Sequence, residues 1–255
     1  HQRGLSEQTS WCNYELIMKE RDLGESVEQI RFFETVNVPS TVQDEGTRDM
    51  TPLLPFVVSG GQNTERYYFI HISNLTDYKF KIIPEYFGDE SNYTEVFPKR
   101  IKGILEKNTD AKIFCVFDWD TIFDNDDNLN KHKAFESEIQ TDIDNGSVIL
   151  CPSMPSIEYW FLLHFENHTQ LIKNNGNAIG FLAPHIKSWF ASDKKLSRIL
   201  KSEKYIQSPH WVEKLCSDDK LELAIERAET NINIAKENNE LDNQSYTYVY
   251  KLFKP

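Results

Sequence analysis

The chain has 255 residues, of which 39% are hydrophobic and 27% charged, and this composition excludes an intrinsically disordered protein. Its most apolar stretches are the size of single strands or helices, so the sequence also excludes a membrane span. With 40 acidic and 28 basic residues the net charge is −12, which repels nucleic acid over most of the surface. Contact with a polynucleotide is therefore expected to be local, bridged by metal, or supplied by a more basic partner.

The first fifty residues are charged and lack a clear hydrophobic period, apart from a helical stretch over Ser26–Thr35. We interpret residues 1–52 as an N-terminal extension, with a natural boundary over Thr47–Pro55. Two roles stay open for this segment. It could cover the mouth of an active site, or it could provide a surface for a homo-oligomer.

Residues 53–155 alternate between short apolar runs and segments with helical spacing. The predicted strands are Leu54–Val58, Phe80–Pro84, Ile113–Phe117 and Ser147–Cys151, and the predicted helices are Thr64–Leu75, Val96–Leu105 and Lys131–Ile143. The third strand is apolar on both faces, as is typical of a parallel sheet covered by helices on each side. The pattern predicts an α/β core with an open parallel sheet flanked by helices.

Residues 156–255 are predicted to form a C-terminal helical subdomain packed on this core. Its predicted helices are Ile157–Phe165, Ile179–Phe190, Leu196–Tyr205, Val212–Leu215 and Leu221–Ala235, and a last strand is predicted over Tyr246–Leu252. Cys115 and Cys151 lie inside apolar runs, and no C-x-x-C pair occurs. This usage favours buried, reduced thiols in a cytoplasmic protein.

An acidic pair, Asp118 and Asp120, directly follows the third predicted strand. Ligands of open parallel sheets bind beyond the carboxyl ends of the strands. Two neighbouring carboxylates are costly unless a cation lies between them, and hard oxygen ligands suit Mg²⁺ or Mn²⁺. The alternative is that both residues only solvate a loop already rich in aspartate at positions 124, 126 and 127.

Glu158 is an unusual residue in the first turn of the apolar helix that follows Ser156. It could interact with the N-terminus of its own helix. It could instead turn towards Asp118 and Asp120, either as a third metal ligand or as a partner of the ligands. We favour this second role.

The turn after the first strand, Ser59–Glu65, has the sequence SGGQNTE and leads into a helix. It lacks the lysine of a Walker loop, so a nucleotide-binding α/β domain is a weaker interpretation. Either an anion at the helix N-terminus or a plain strand-to-helix turn is compatible with the two glycines.

This turn, the Asp118 and Asp120 pair and the helix after Ser156 together resemble the RloB family of Toprim-type anti-phage proteins, over about residues 53–255. The family pattern after the first strand includes Glu-Gly, then Thr-Glu and an aromatic pair. The chain matches it through Thr64 and Glu65, but Gly60 stands where the Toprim glutamate is expected.

The resemblance implies a Toprim core that acts as the toxic nuclease effector of a defence system, beside an ATPase partner. In such a nuclease Mg²⁺ or Mn²⁺ would be held by Asp118, Asp120 and Glu158, with Glu65 as the candidate replacement for the missing glutamate. RNA, with tRNA as one candidate, is favoured over DNA because its 2′-hydroxyl supplies an internal nucleophile. The alternative, raised by Gly60, is a catalytically inactive regulatory or binding subunit of the same kind of complex.

A local excess of positive charge occurs between residues 187 and 204. Lys194, Arg198 and Lys201 have the spacing of one helical face, so they are the candidate contacts to nucleic acid. An ordinary solvated face explains the same spacing.

Overall fold

A computed structural model of the protein describes residues 53–61, 63–83, 93–123 and 125–254. The predicted N-terminal extension, including the helical stretch Ser26–Thr35, lies outside the described residues. From Pro52 to Pro255 the chain forms one compact unit.

A five-stranded sheet forms the centre of this unit. Its strands are β1 (Phe56–Ser59), β2 (Lys81–Ile83), β3 (Ile113–Asp118), β4 (Val148–Met154) and β5 (Tyr246–Thr247). They lie in the order β2-β1-β3-β4-β5, with parallel pairing throughout except between β4 and β5. The predicted α/β class, with a mostly parallel sheet flanked by helices, is therefore confirmed.

The helices of the first half connect the parallel strands. They are α1 (Thr64–Leu75), α2 (Tyr93–Leu105), α3 (Asp126–Glu138) and α4 (Gln140–Asp144). The second half contributes α5 (Ile157–Leu162), α6 (Asn175–Ile186), α7 (Leu196–Leu200), α8 (Glu203–Ile206), α9 (His210–Cys216) and α10 (Lys220–Asn238). Short 3₁₀ turns occur at Lys187–Trp189, Leu241–Asn243 and Val249–Phe253.

Both faces of the sheet are buried, as the apolar sequence of β3 predicts. Side chains alternate along a strand, so Phe114 and Val116 contribute to one apolar cluster, and Cys115 and Phe117 to another. The first cluster packs against α1 and the helices of the second half, whereas the second packs against α2 and α3.

The first apolar cluster continues across residue 155 into the helical half. Tyr68 of α1, Trp160 of α5 and Ile232 of α10 all belong to it and are fully buried. The division of the chain at residue 155 stays a prediction about its organisation. What the structure adds is that the two parts share a core.

Two predicted helices are interrupted. Lys131–Ile143 is replaced by α3, which begins earlier because the side chain of Asn125 accepts from the backbone amide of Asn128, and by α4 after a break at Ile139. Leu196–Tyr205 is replaced by α7 and α8. The carbonyls of Leu200 and Lys201, at the end of α7, accept hydrogen bonds from the distant residues Thr64 and Asn63.

The strand predicted over Tyr246–Leu252 pairs with β4 only at Tyr246–Thr247. The next residue, Tyr248, donates its backbone amide to the carbonyl of Pro152, but proline has no N–H to return a second bond. The chain then turns into the 3₁₀ segment Val249–Phe253.

Cys115 and Cys151 are buried free thiols, as predicted. Across the part of the chain that the structure describes, none of the helices is both long enough and apolar enough to span a bilayer.

Candidate functional site

Four acidic residues lie where three neighbouring strands end. Asp118 is the last residue of β3, and Asp120 follows two residues later. Glu65 lies in the first turn of α1, after β1, and Glu158 in the first turn of α5, after β4. Parallel strands bring these positions to one edge of the sheet.

Asp118 is electrostatically coupled to the other three carboxylates. Burial raises its pKa well above the ordinary value, and repulsion by Glu65, Glu158 and Asp120, in that order, raises it further. Its Oδ1 accepts from the backbone amide of Ile157 at 3.0 Å, which opposes the rise. The structure therefore brings together the four acidic residues that the sequence singled out.

Glu158 is only 4% exposed and is held by two donors. Its Oε2 accepts from the hydroxyl of Ser156 at 2.7 Å and from the side-chain amide of Asn175 at 2.6 Å. Burial raises the pKa of Glu158, while these bonds and a bond from its own backbone amide oppose the rise. Glu158 thus bonds to the N-terminus of its own helix, and its charge also raises the pKa of Asp118.

Glu65 is 6% exposed, and its carboxylate lies directly against Gly61. Burial raises the pKa of Glu65 to about 7, against an opposing hydrogen bond from its own backbone amide. Glu158 raises this pKa further, and the charge of Lys201 lowers it. At neutral pH Glu65 is therefore balanced between its protonated and ionised forms.

Gly60 has room for a side chain. A Cβ at this position would lie 3.6 Å from the Cβ of Tyr93 and 3.9 Å from that of Phe117, both ordinary contacts. The side of the sheet that carries Phe117 is opposite the side that carries Asp118, because the two residues alternate along β3. A side chain at position 60 would therefore begin on the Phe117 side of the sheet, opposite the side that carries Asp118.

Asn175, the first residue of α6, connects two of the acidic residues, and the sequence analysis did not identify it. Its backbone amide donates to Oδ2 of Asp120 at 3.0 Å, and its side-chain amide donates to Glu158 and to Ser156. An Asn in the sequence NNGN gives no signal of such a role. The contact depends on a helix 55 residues from Asp120 in the sequence.

The three basic residues predicted to share one helical face are separated. The intervening helix, α7, spans only Leu196–Leu200, so Lys194 precedes it and Lys201 follows it. Lys201 lies near the acidic site, because its charge lowers the pKa of both Glu65 and Glu158. Hydrogen bonds from Asn63 and Thr64 to the end of α7 hold this segment against the start of α1.

Lys194 and Arg198 line a different feature, which we call the basic groove. It has a volume of about 640 Å³ and is also lined by Ser192, Lys195 and Tyr205. The ammonium group of Lys194 lies 5.5 Å from the centre of the Tyr205 ring. Surfaces that bind single-stranded nucleic acid combine positive charge with aromatic rings on which bases can stack.

The carboxylate site has the oxygen ligands that Mg²⁺ and Mn²⁺ prefer. Among the residues described, no three His, Cys, Asp or Glu side chains are placed to hold one metal ion together. Mg²⁺ is usually bound by one or two carboxylates, with waters and substrate phosphates completing its coordination. Asp118 and Asp120 stay the predicted ligands of such an ion, with Glu158 predicted as a third ligand or as a partner of the ligands.

A family model described as RloB-like protein matches residues 56–254. Neither the curated proteins nor the solved structures contain a match.

Proposed function

The chain belongs to the RloB-like family, and from that premise we propose that it is a metal-dependent nuclease that acts as the toxic effector of an anti-phage defence system. Its substrate would be RNA, with tRNA as a candidate, in preference to DNA. Its partner would be an ATPase subunit. The free buried thiols Cys115 and Cys151 suit the cytoplasmic location that this function requires.

One observation supports the proposal above the others: half-buried Asp118 lies at the same edge of the sheet as two buried carboxylates, those of Glu65 and Glu158, and both raise its pKa. Each of these carboxylates has a raised pKa, and burial is the largest cause in each case. Perturbed carboxylates at the carboxyl edge of a parallel sheet are typical of catalytic sites. A divalent cation would stabilise their ionised forms at neutral pH.

Asp118 and Asp120 would hold the ion, which when bound would polarise a phosphate oxygen and lower the pKa of a bound water. Glu65, with a pKa of about 7, can accept or donate a proton near neutral pH, as a general acid or base must. Asn175 fixes Glu158 and Asp120 in position. Lys201 places a positive charge beside the acidic residues, where a substrate phosphate would approach.

The basic groove supports a polynucleotide substrate in a chain whose net charge is −12. Lys194 and Arg198 offer contacts to the phosphate backbone, and Tyr205 offers a ring for a base. Single-stranded RNA is the substrate that suits this combination best.

The test combines metal binding with cleavage. We would titrate Mn²⁺ by calorimetry into the wild type and into Asp118→Asn plus Asp120→Asn, and then compare cleavage of RNA and of DNA in Mg²⁺. Asparagine keeps an acceptor oxygen for the amides of Ile157 and Asn175, so the fold should persist. The control is Asp110→Asn plus Glu138→Gln, two exposed positions that give the same change in charge.

The proposal requires that the double variant lose both Mn²⁺ binding and cleavage while the control keeps them. Unchanged cleavage by the double variant would show that Asp118 and Asp120 do not form the active site. If the double variant loses cleavage but the wild type does not bind Mn²⁺, the residues matter for cleavage and the proposed metal is excluded.

A catalytically inactive subunit is the second candidate function. Two observations favour it: Gly60 replaces the glutamate of the Toprim pattern, and Asp118 and Asp120 each accept from the first amide of a helix, α5 and α6. Such bonds stabilise helix N-termini without any catalysis. In this case the helical half would dock on the ATPase, and the wild type would bind the partner but cleave neither RNA nor DNA.

A further inference from the structure

A second pocket lies beside β4, on the opposite side of the sheet from Asp118. We call it the β4 pocket; it has a volume of about 280 Å³ and is lined by Trp119, His132, Lys236, Tyr246, Tyr248 and Lys251, among others. Phe117 and Leu150 also line it and lie on the face that packs against α2 and α3. Asp118 bonds to Ile157 on the other face, so the β4 pocket is separate from the carboxylate site.

Two lysines give this pocket a positive charge. The ammonium groups of Lys236 and Lys251 lie 5.3 Å and 4.7 Å from the centre of the same Tyr248 ring. Neither makes an ion pair with another residue in the described ranges, although the protein carries a large excess of acids. Both lysines line the same pocket, so an anion inside it would be attracted by both ammonium groups.

One acidic residue, Glu136, is among those that line the pocket, and it contacts His132 rather than either lysine. Glu136 lies with Oε1 at 3.1 Å from Nε2 of His132, while Nδ1 of His132 bonds to the hydroxyl of Tyr93 at 2.8 Å. His132 is buried, and its two ring nitrogens contact Tyr93 and Glu136. Because Glu136 lines the pocket together with Lys236 and Lys251, the three charged groups leave it with one net positive charge.

Aromatic side chains form the rest of the wall. Trp119 is half-buried and meets His132 edge-on, with ring centres 4.8 Å apart at an angle of 86°. Its other ring contact, with Phe117, is tilted, so neither described neighbour stacks on the indole. The indole N–H is not bonded to a described residue and stays available as a donor.

We propose that the β4 pocket binds a small planar ligand that carries a phosphate, of the class of nucleoside monophosphates. Lys236 and Lys251 would contact the phosphate, and the planar base would lie against Trp119. The volume, about 280 Å³, lies just below the usual range for ligand pockets, about 300–1,000 Å³, which suits a mononucleotide better than a dinucleotide. This inference does not depend on the proposed nuclease activity.

The experiment is calorimetric titration of the full chain with AMP, GMP, CMP and UMP, with EDTA present to exclude metal. At least one nucleotide should bind the wild type, and Lys236→Met plus Lys251→Met should weaken it by about tenfold or more. Adenosine and inorganic phosphate, titrated separately, should each bind more weakly than AMP. The melting temperature of each variant is measured to confirm that it is folded.

Three further variants locate the binding. Lys133→Met plus Lys254→Met removes two charges that do not line the pocket, and Asp118→Asn plus Asp120→Asn alters the carboxylate site; both should keep the wild-type affinity. Lys194→Met plus Arg198→Met should keep it as well.

The proposal is overturned by no binding of any nucleotide, by equal affinity in the Lys236 and Lys251 variant, or by loss of binding in the basic-groove variant instead. If inorganic phosphate bound as tightly as AMP, the base would contribute nothing to binding, and the proposed contact with Trp119 would be wrong. None of these outcomes alters the test of the nuclease, because metal binding and cleavage are measured separately.

Discussion

The carboxylate of Glu65 occupies the space directly above Gly61. A Cβ at residue 61 would lie 1.7 Å from Oε2 of Glu65, far closer than any real contact. A Cβ at residue 61 could therefore be accommodated only if the Glu65 carboxylate moved. Gly61 and Glu65 of the turn are therefore linked, because the Glu65 carboxylate lies where a side chain at residue 61 would be.

The first prediction concerns the substitution Gly61→Ala. The clash involves the end of a flexible side chain, so the Glu65 carboxylate should move away while the backbone keeps its place. We expect a small change in melting temperature but a clear loss of cleavage, together with a weaker effect of Glu65 on the pKa of Asp118. Gly103→Ala, at a helix position with nothing within 4 Å, is the matched control. Full activity in Gly61→Ala would show that the placement of Glu65 does not matter.

The second prediction is a pH dependence of stability. Burial raises the pKa of Glu65 from 4.5 to about 7, so the folded protein keeps this proton over a range in which the unfolded chain has lost it. The contribution of the Glu65 carboxyl to the free energy of unfolding is fully present below pH 4.5, and it is lost as the pH rises from there through 7. The loss amounts to at most about 3 kcal/mol.

Glu65→Gln removes this ionisation. The wild type should lose free energy of unfolding, measured by urea titration, between pH 5 and pH 8, and Glu65→Gln should not. Glu138→Gln, at an exposed position, should lose as much as the wild type. Because a divalent cation stabilises ionised carboxylates, Mg²⁺ at pH 8 should stabilise the wild type more than Glu65→Gln. Parallel curves for the two proteins at all pH values would contradict the raised pKa.

The third prediction tests Asn175, whose side chain donates to Glu158 and to Ser156. Asn175→Ala leaves the ionised Glu158 without one donor, which should cost about 1–3 kcal/mol of stability. The cost should be larger at pH 8 than at pH 5, because this bond favours the ionised form and lowers the pKa. Asn177→Ala, exposed in the same helix, is the control. A pH-independent cost would mean that Asn175 only packs.

The sheet could be predicted from sequence because its information is local. The apolar run Ile113–Phe117 and the turns around it are enough to identify β3, and the other parallel strands follow in the same way. The end of α7 could not be predicted, because the carbonyls of Leu200 and Lys201 bond to residues more than 130 positions away. Local periodicity favours a continuous helix there, and only tertiary contacts stop it.

The residues of the candidate site also differ in whether the local sequence or a tertiary contact identifies them. Asp118 and Asp120 could be found because acidic residues directly after a buried strand are conspicuous, and Glu158 because an ionisable residue in an apolar helix is unusual. Asn175 could not, since an amide in a polar loop is ordinary in sequence and gains its role only when α6 lies against β3 and α5. For the same reason Lys201 was grouped with Lys194 and Arg198, although its charge acts on Glu65 and Glu158.

The fourth prediction concerns the basic groove. Lys194→Gln plus Arg198→Gln should weaken the binding of single-stranded RNA and reduce the slope of log affinity against log salt by about 0.7 for each phosphate contact removed. Stability should change little, because both side chains are exposed. Lys133→Gln plus Lys107→Gln, also exposed, gives the same charge change outside the groove. Fluorescence anisotropy at several salt concentrations measures both quantities, and an unchanged slope would exclude the groove as the contact.

The last prediction distinguishes the two candidate functions through Gly60→Glu. The substitution should be tolerated, because a Cβ at residue 60 meets its neighbours at 3.6 Å or more and the backbone is not left-handed. Its side chain starts on the Phe117 side of β3, while Glu65 already lies beside Asp118 on the other side. If Glu65 serves as the acid of the site, restoring a glutamate at residue 60 adds negative charge without adding a missing group. Cleavage of RNA by Gly60→Glu in Mg²⁺ should then not exceed that of the wild type. Cleavage that appears only in Gly60→Glu would show that the natural chain is an inactive subunit.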